Sequence, residues 1–458
     1  MFSIKNIFKK KPHPFLHGIH TPLDREFLYE NLTVNGNIPS ELDGLYVRNG
    51  PNPVKPPNER RYHWFLGDGM VHGVKLKNGV AEWYKNRWVR SYSVSKALGE
   101  EIIPGASNQV VDAVNTNIIA FAGKLWALVE AGSSPVQLDV NLNSLKHDRF
   151  GGSLKKAFTA HPHLDPISGE LHAICYSVGK KGRVTHVVVS PSGEVVKESP
   201  ICVEGGPSIH DCAITKNFIV VLDLPVVFSL GKFLTGSLFP YHWKPERPAR
   251  VGLLNRHSTS SGEVRWVKID PCYVFHPCNA YEVNSKELVL DVCAHDSMFA
   301  SSNYGPDSKF SQFQRWRIDL ESMKVTKDII HNKPQEFPRF DERLTGQKYR
   351  FAYTVSLGNG SVPGNSLIKH DLQEGKTLEH DFGRGCFPGE FVFVPRDPES
   401  GEEEGWLLGY VLDMRERTTR LTILDSNDFL SPSVAEIKIP HLVPPGFHGN
   451  WVPTSLVG

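Results

Sequence analysis

Residues 118–129 read Ile-Ile-Ala-Phe-Ala-Gly-Lys-Leu-Trp-Ala-Leu-Val, a run rich in strand formers set among turn-forming residues. The same texture recurs along the chain. It appears as Gly-Leu-Tyr-Val-Arg at 44–48, Thr-His-Val-Val-Val at 185–189 and Phe-Ile-Val-Val-Leu at 218–222. It returns as Glu-Leu-Val-Leu-Asp at 287–291 and Gly-Trp-Leu-Leu-Gly-Tyr-Val at 405–411, with turn signals such as Ser192-Gly193 and Ser400-Gly401 between the runs. Many short strands punctuated by Gly, Asn, Asp and Pro predict an all-β chain, either a β-propeller or a large sandwich. No strict repeat of about 40 residues with a shared signature is visible, so a WD40 or kelch repeat is not indicated.

The chain has 458 residues, long enough for two or three ordinary domains or for one large β unit. Hydrophobic residues make up 40% and charged residues 22%, which permits a large core and argues against disorder. The 51 basic residues against 50 acidic ones leave no electrostatic footprint for nucleic acid. The seven cysteines, at 175, 202, 212, 272, 278, 293 and 386, are scattered without a Cys-x-x-Cys pair. They are expected to be reduced thiols of an intracellular protein rather than a disulfide framework. The start, MFSIKNIFKKKPHP, interrupts its apolar residues with lysines and is not expected to act as a secretory signal. No run of about 18 apolar residues exists to cross a membrane as a helix. A cytoplasmic protein is expected, with peripheral membrane contact left open.

Two segments depart from the strand-and-turn texture. Residues 1–11 could form an amphipathic helix carrying Phe2, Ile4, Ile7 and Phe8, or simply a frayed basic tail; Lys9, Lys10 and Lys11 would favour anionic headgroups. Residues 224–243 are long, apolar and poor in charge. They read either as a buried connection or as a surface that dips into a membrane.

Among 20 histidines, four stand out by context. They are His161 in Thr-Ala-His-Pro-His-Leu-Asp, His210 in Ser-Ile-His-Asp-Cys, His276 in Val-Phe-His-Pro-Cys and His448 in Gly-Phe-His-Gly-Asn. Each sits at the edge of an apolar run beside Pro, Asp or Gly, where a strand ends and a side chain can turn toward a shared axis. They are far apart, unlike a zinc finger or a His-Glu-x-x-His helix. Spacing alone therefore leaves both a metal site and ordinary structural histidines open.

Longer motifs decide between these. Gly-Leu-Tyr-Val-Arg-Asn-Gly-Pro-Asn-Pro (44–53), His-Trp-Phe-Leu-Gly-Asp-Gly-Met-Val-His-Gly (63–73), Tyr-Lys-Asn-Arg-Trp-Val-Arg (84–90) and Leu-Val-Glu-Ala-Gly (128–132) come first. The stretches around His161, His210 and His276 follow. Glu-Phe-Pro-Arg (336–339), Gly-Glu-Phe-Val-Phe-Val-Pro-Arg (389–396) and Gly-Phe-His-Gly-Asn-Trp-Val-Pro (446–453) complete the order. In this order the chain resembles the carotenoid cleavage oxygenases over nearly its whole length. That resemblance implies a seven-bladed β-propeller spanning residues 16–458 behind a basic tail at 1–15, with a helical and loop cap over the iron-bearing face. It implies Fe(2+) held by His161, His210, His276 and His448. It further implies that Glu130, Glu336 and Glu390 stand behind His210, His276 and His448 in that order, and that His161 has no carboxylate partner.

Imidazole suits iron and leaves the full metal charge uncompensated by ligands. A carboxylate accepting the far N–H of each ring fixes its tautomer and raises its basicity. Four ligands leave room for O2, and an apolar tunnel lined by some of the Phe and Trp residues would hold a polyene beside it. His63, His72 and His295 lie in family-like stretches but match no ligand, and His163 reads as structural. The stilbene-cleaving branch of the family carries a Lys and a Tyr that grip a phenol. Those positions read here as Val129 and Trp88, so a carotenoid or apocarotenoid is expected to be cleaved by O2 into two carbonyl products. Stilbene cleavage, the ester cleavage with isomerisation of the retinoid isomerases, and a non-catalytic ligand-binding propeller are the alternatives. Membrane contact through residues 224–243 and the tail is expected, because a polyene dissolved in lipid must be extracted.

Overall fold

The computed structural model describes residues 12–107, 112–178, 181–258, 263–308, 310–358 and 363–456. Their strands form seven antiparallel sheets of four or five strands, the blades of a seven-bladed β-propeller, plus one separate two-stranded hairpin. Blade II runs from Asn117–Phe121 to Ser144–His147, blade III from His163–Leu164 to Val195–Cys202, and blade IV from Cys212–Ile214 to Val264–Ile269. Blade V runs from Tyr273–Glu282 to Lys324–His331 and blade VI from Gln335–Arg339 to Lys376–Asp381. Within each, the first strand lies at one edge and pairing proceeds in sequence order.

Blades I and VII close the ring from both ends of the chain. In blade I, Gly449–Pro453 pairs with Gly44–Pro51 and becomes the strand at the inner edge. In blade VII, Thr33–Gly36 pairs with Ala435–Ile439 at the outer edge. Strands from opposite termini thus complete the first and last blades and clasp the ring shut, while each blade keeps a short outer edge.

Face-to-face packing of neighbouring blades explains the hydrophobic pattern. Strands inside a blade are covered on both faces, so Gly405–Asp413 is buried throughout and Glu287–His295 is buried in all but its first residue. Outer strands such as Lys324–His331 and Lys376–Asp381 have no buried residue. One core cluster joins blades IV and V through Val220, Leu253, Leu290 and Trp316. Another joins blades VII and I through Tyr46, Val74, Leu408 and Ile437. Doubly covered strands need continuous apolar runs rather than alternation, which is why strand texture alone leaves propeller and sandwich open, while the seven blades implied by the motif resemblance are the ones formed.

The two segments singled out in the sequence divide. Of the expected tail, residues 1–11 lie outside the described residues. His13 and Phe15, at its end, pack on the propeller, with Phe15 stacked on Trp64 at 4.9 Å between ring centroids. Residues 224–243 are neither wholly buried nor wholly exposed. Val226–Phe228 and Tyr241–Trp243 form the separate hairpin, with Val226 and Tyr241 buried. The helix Leu230–Leu234 at its tip exposes Leu230, Phe233 and Leu234, with Leu238 following. The helix is started by the Ser229 side chain, which accepts the Lys232 N–H. No helix among the described residues is long and apolar enough to cross a membrane.

Candidate metal centre

The inner-edge strands carry the candidate residues to one point on the propeller axis. His161 and His210 immediately precede the first strands of blades III and IV, His276 lies within that of blade V, and His448 precedes the closing strand of blade I. Glu336 and Glu390 lie in the first strands of blades VI and VII, and Glu130 follows the strand Lys124–Leu128 of blade II. Each blade therefore contributes one side chain.

Local irregularity aims these side chains inward. Pairing register shifts between Val274 and Pro277, between Glu336 and Arg339, and between Pro388 and Phe391. His276, Glu336 and Glu390 thus each sit in a β-bulge, the device that re-aims a side chain at the rim of a sheet. Ala131 and Phe337, just after Glu130 and Glu336, adopt positive φ of 52° and 53°, a strained conformation for residues with side chains. Gly449 follows His448 because a Cβ there would lie 2.3 Å from the Val47 carbonyl oxygen of the paired strand. The His448 backbone is pinned on both sides, its N–H donating to Thr116 at 3.0 Å and its carbonyl accepting from Asn49 at 3.0 Å.

One potential ligand atom from each of His161, His210, His276 and His448 falls within 4.8 Å of all the others. Behind three of the rings stands a carboxylate. His210 Nδ1–H donates to Glu130, His276 Nδ1–H to Glu336 at 2.7 Å, and His448 Nδ1–H to Glu390 at 2.9 Å. His161 has no carboxylate partner among the described residues. With Nδ1 protonated, each Nε2 presents a bare lone pair. In that tautomer His210 Nε2 and His276 Nε2, which face one another at 3.3 Å, are two acceptors with no proton to share. With no cation between them, burial of the His276 imidazole is outweighed by the Glu336 carboxylate, which raises the ring above its usual range. His161 Nε2 is buried without any partner. Converging, desolvated lone pairs are costly unless a cation lies between them, so the donor set fits a divalent metal.

Burial governs the electrostatics. It drives the His161 imidazole well below its usual range, reinforced by the neighbouring histidines, which keeps that ring neutral. Burial alone would raise the three carboxyls, but the positive ends of the ring N–H groups and, at Glu390, the Arg339 guanidinium outweigh it. Glu130 is held below the usual carboxylate range, Glu336 lower still, and Glu390, with Arg339 acting first, down to about 2. All three stay ionised, which supports metal ligands electrostatically as well as geometrically.

The outer contacts were not visible in sequence. Glu336 also accepts from His295 Nε2 at 2.9 Å and from the Phe337 backbone N–H at 2.6 Å. Glu390 accepts from the Gly449 N–H at 2.9 Å and pairs with Arg339 at 3.3 Å. Glu130 accepts from the Tyr176 hydroxyl. His295 and Arg339 sit inside recognisable motifs, but Tyr176 carries no sequence signal. His163 pairs with Asp211 at 2.7 Å, His72 with the Tyr84 hydroxyl at 2.9 Å, and His63 stacks on Phe239 at 4.0 Å; none reaches the cluster.

Two cavities meet at the histidines. One, of about 280 Å³, is walled mainly by apolar side chains such as Phe65, Phe239, Phe275, Phe299 and Phe447. The other, of about 150 Å³, is polar, with Asn117, His163, Asp211, Arg339 and Asn450 in its wall. His276 and His448 border both. Val129 lines the apolar cavity, whereas Trp88 does not. The Trp88 ring packs on Met70 and Val94 and donates Nε1–H to the Asn52 carbonyl at 2.8 Å. Absence of a phenol-gripping pair therefore rests on Val129 alone, because Trp88 is committed to the core of blade I.

The chain matches the family model described as retinal pigment epithelial membrane protein over residues 20–453. It is 38% identical to a carotenoid cleavage oxygenase of Mycobacterium tuberculosis, over 97% of this chain and 98% of that one. Among solved structures, cobalt-substituted Synechocystis ACO, an apocarotenoid oxygenase, superposes with a TM-score of 0.84 at 26% identity, covering 97% of this chain and 99% of that one. A lignostilbene dioxygenase of Pseudomonas brassicacearum superposes with a TM-score of 0.85 at 25% identity, covering 96% and 98%.

Proposed function

Because the chain belongs to the carotenoid cleavage oxygenase family, we propose that it is an iron(II)-dependent dioxygenase that cleaves one C=C bond of a carotenoid or apocarotenoid with O2. Both oxygen atoms enter the products, two aldehydes, one on each former alkene carbon. The observation that carries this reading is the set of four converging imidazoles beside an apolar cavity. His161, His210, His276 and His448 would hold the iron, which supplies a site for O2 uptake and electron transfer when bound. Glu130, Glu336 and Glu390 fix three of the rings by accepting hydrogen bonds from their Nδ1–H groups. The phenyl-lined cavity excludes water and holds a rigid polyene in one register, so that position rather than a reactive side chain selects the bond.

Purified protein reconstituted with Fe(II) is the test, with products of a carotenoid and apocarotenal panel identified by mass spectrometry. One iron per chain, O2 uptake matching turnover and paired aldehydes are expected. Ready cleavage of resveratrol with apocarotenals ignored would overturn the substrate class in favour of the stilbene reading.

The helix tip supports a second part of the proposal, peripheral membrane contact. Leu230, Phe233, Leu234 and Leu238 are 56%, 55%, 74% and 51% exposed, and Leu238 also borders the apolar cavity. The exposed patch is thus continuous with the route into the site. Fully burying an exposed side chain of this size is worth about 1.5–3 kcal/mol, so these half- to three-quarter-exposed ones would each contribute about 1–2 kcal/mol in lipid. Flotation of the protein with anionic liposomes is expected, and a Phe233→Asp/Leu234→Asp variant should remain at the bottom of the gradient. Equal flotation of variant and wild type would place the contact elsewhere.

A further inference from the structure

The three carboxylates behind the histidines are not held alike. Glu336 and Glu390 each accept a backbone N–H, from Phe337 and from Gly449, in addition to a side-chain partner. Their positions are written into the main chain, that of the Glu336 bulge in one case and of the closing strand of blade I in the other. Glu130 has no backbone donor among the described contacts. It lies in the irregular stretch after its strand, its side chain is 17% exposed against 6% for Glu336 and 3% for Glu390, and it borders the apolar cavity. Apart from His210, its partners are hydroxyls of the cavity wall: Tyr176, and Ser208 at 3.5 Å. Hydroxyl contacts at 3.5 Å are at the weak limit, so the firm anchor is the Tyr176 phenol.

That phenol is a dependable donor. Burial and the adjacent carboxylate hold its ionisation well above the usual tyrosine range, so it stays protonated and cannot reverse its bond to Glu130. Its ring stands in the wall of the apolar cavity and also borders a separate cleft of about 340 Å³ and mixed lining beside blade III. The Glu130 oxygen that Tyr176 holds has one other described contact, the weak one from Ser208 at 3.5 Å.

From this arrangement we propose that Tyr176 is a positioning residue of the metal centre, holding Glu130 and through it the His210 ring. The proposal rests on the four-histidine metal reading. Tyr176 is not one of the four converging rings; it acts by denying Glu130 other orientations, and so keeps His210 Nε2 aimed at the shared point. A partner lost directly behind a ligand typically weakens metal binding by about 10–100-fold. One bond farther out, a smaller loss of roughly three- to tenfold follows.

Co(II) reads this without turnover, because its visible d–d bands report ligand geometry. Metal-free protein is titrated with Co(II) for the wild type, Tyr176→Phe, Glu130→Gln and the double variant. Tyr176→Phe keeps the ring and is expected to raise the Co(II) Kd by roughly three- to tenfold and to shift the bands. In the Glu130→Gln background the same substitution should add nothing, since two residues acting through one contact are not additive. Tyr273→Phe, whose hydroxyl reaches Ser208 at 3.4 Å rather than Glu130, should leave the Co(II) spectrum unchanged. A wild-type Kd and spectrum for Tyr176→Phe, or an effect that adds fully to that of Glu130→Gln, overturns the role of Tyr176 alone. Failure of the wild type to bind Co(II) stoichiometrically overturns the metal reading and this role with it.

Discussion

Replacing His276 with alanine is expected to empty the metal centre and lower the rate of polyene cleavage by more than ~100-fold, since even partners behind a ligand cost about 10–100-fold when lost. His276 is the ring best placed for such a test. It is in the inner strand of blade V, opposite His210 across 3.3 Å, and it borders both cavities. Its loss does not orphan Glu336, which keeps His295 at 2.9 Å and the Phe337 N–H at 2.6 Å. The strand itself is held by its ladder with Glu287–His295. The fold should therefore survive, with circular dichroism unchanged while metal analysis falls from one equivalent toward none. Retention of one iron per chain with a rate within about tenfold of wild type would mean the four histidines are not the catalytic metal site.

Arg315→Met should produce the largest loss of stability, about 3–5 kcal/mol, because it strands a buried charge. Asp291 is fully buried in blade V, directly opposite Arg315 on the adjacent strand. Arg315 grips both carboxylate oxygens at 2.8 Å, and the Tyr349 hydroxyl donates to one of them at 2.7 Å. Removing the guanidinium leaves Asp291 with one neutral donor in a dry interior, whereas removing both charges leaves no such debt. The double variant Asp291→Leu/Arg315→Met should accordingly recover most of the loss. Urea midpoints for wild type, single and double variants decide it. A single-variant shift below ~1 kcal/mol would show that water or a neighbouring cation already compensates Asp291.

Much of the site was legible because chemistry was concentrated in short motifs. His448 and Gly449 share one motif, and the structure shows why: the glycine lets the closing strand approach Val47 while its N–H holds Glu390. The order in which Glu130, Glu336 and Glu390 stand behind His210, His276 and His448 is the order implied by the resemblance. Trp88 was read as standing at the position of the stilbene cleavers' phenol-gripping Tyr, but a motif in a blade I strand does not say which way its alternate side chains face. In the folded chain that ring faces the core. Residues 224–243 looked uniform as text, yet pairing of Val226–Phe228 with Tyr241–Trp243 buries the ends and leaves only the middle exposed. Tyr176 had no motif at all. A tyrosine in a strand-rich chain is ordinary, and only the fold brings it to Glu130 across 46 residues.

By itself the sequence determined that this protein is all-β and which residue types could carry metal chemistry, because strand propensity, turn residues and short motifs are local properties. Strand pattern alone left propeller and sandwich open, since doubly covered strands read the same in either; the motif resemblance implied seven blades, and the tertiary structure shows how they close. It alone brought four imidazoles from blades I, III, IV and V within 4.8 Å. It also set which carboxylate needs a side-chain anchor and which has a backbone one. Those outcomes depend on bulges and on the meeting of distant strands at one axis, and neither leaves a periodic mark in the chain.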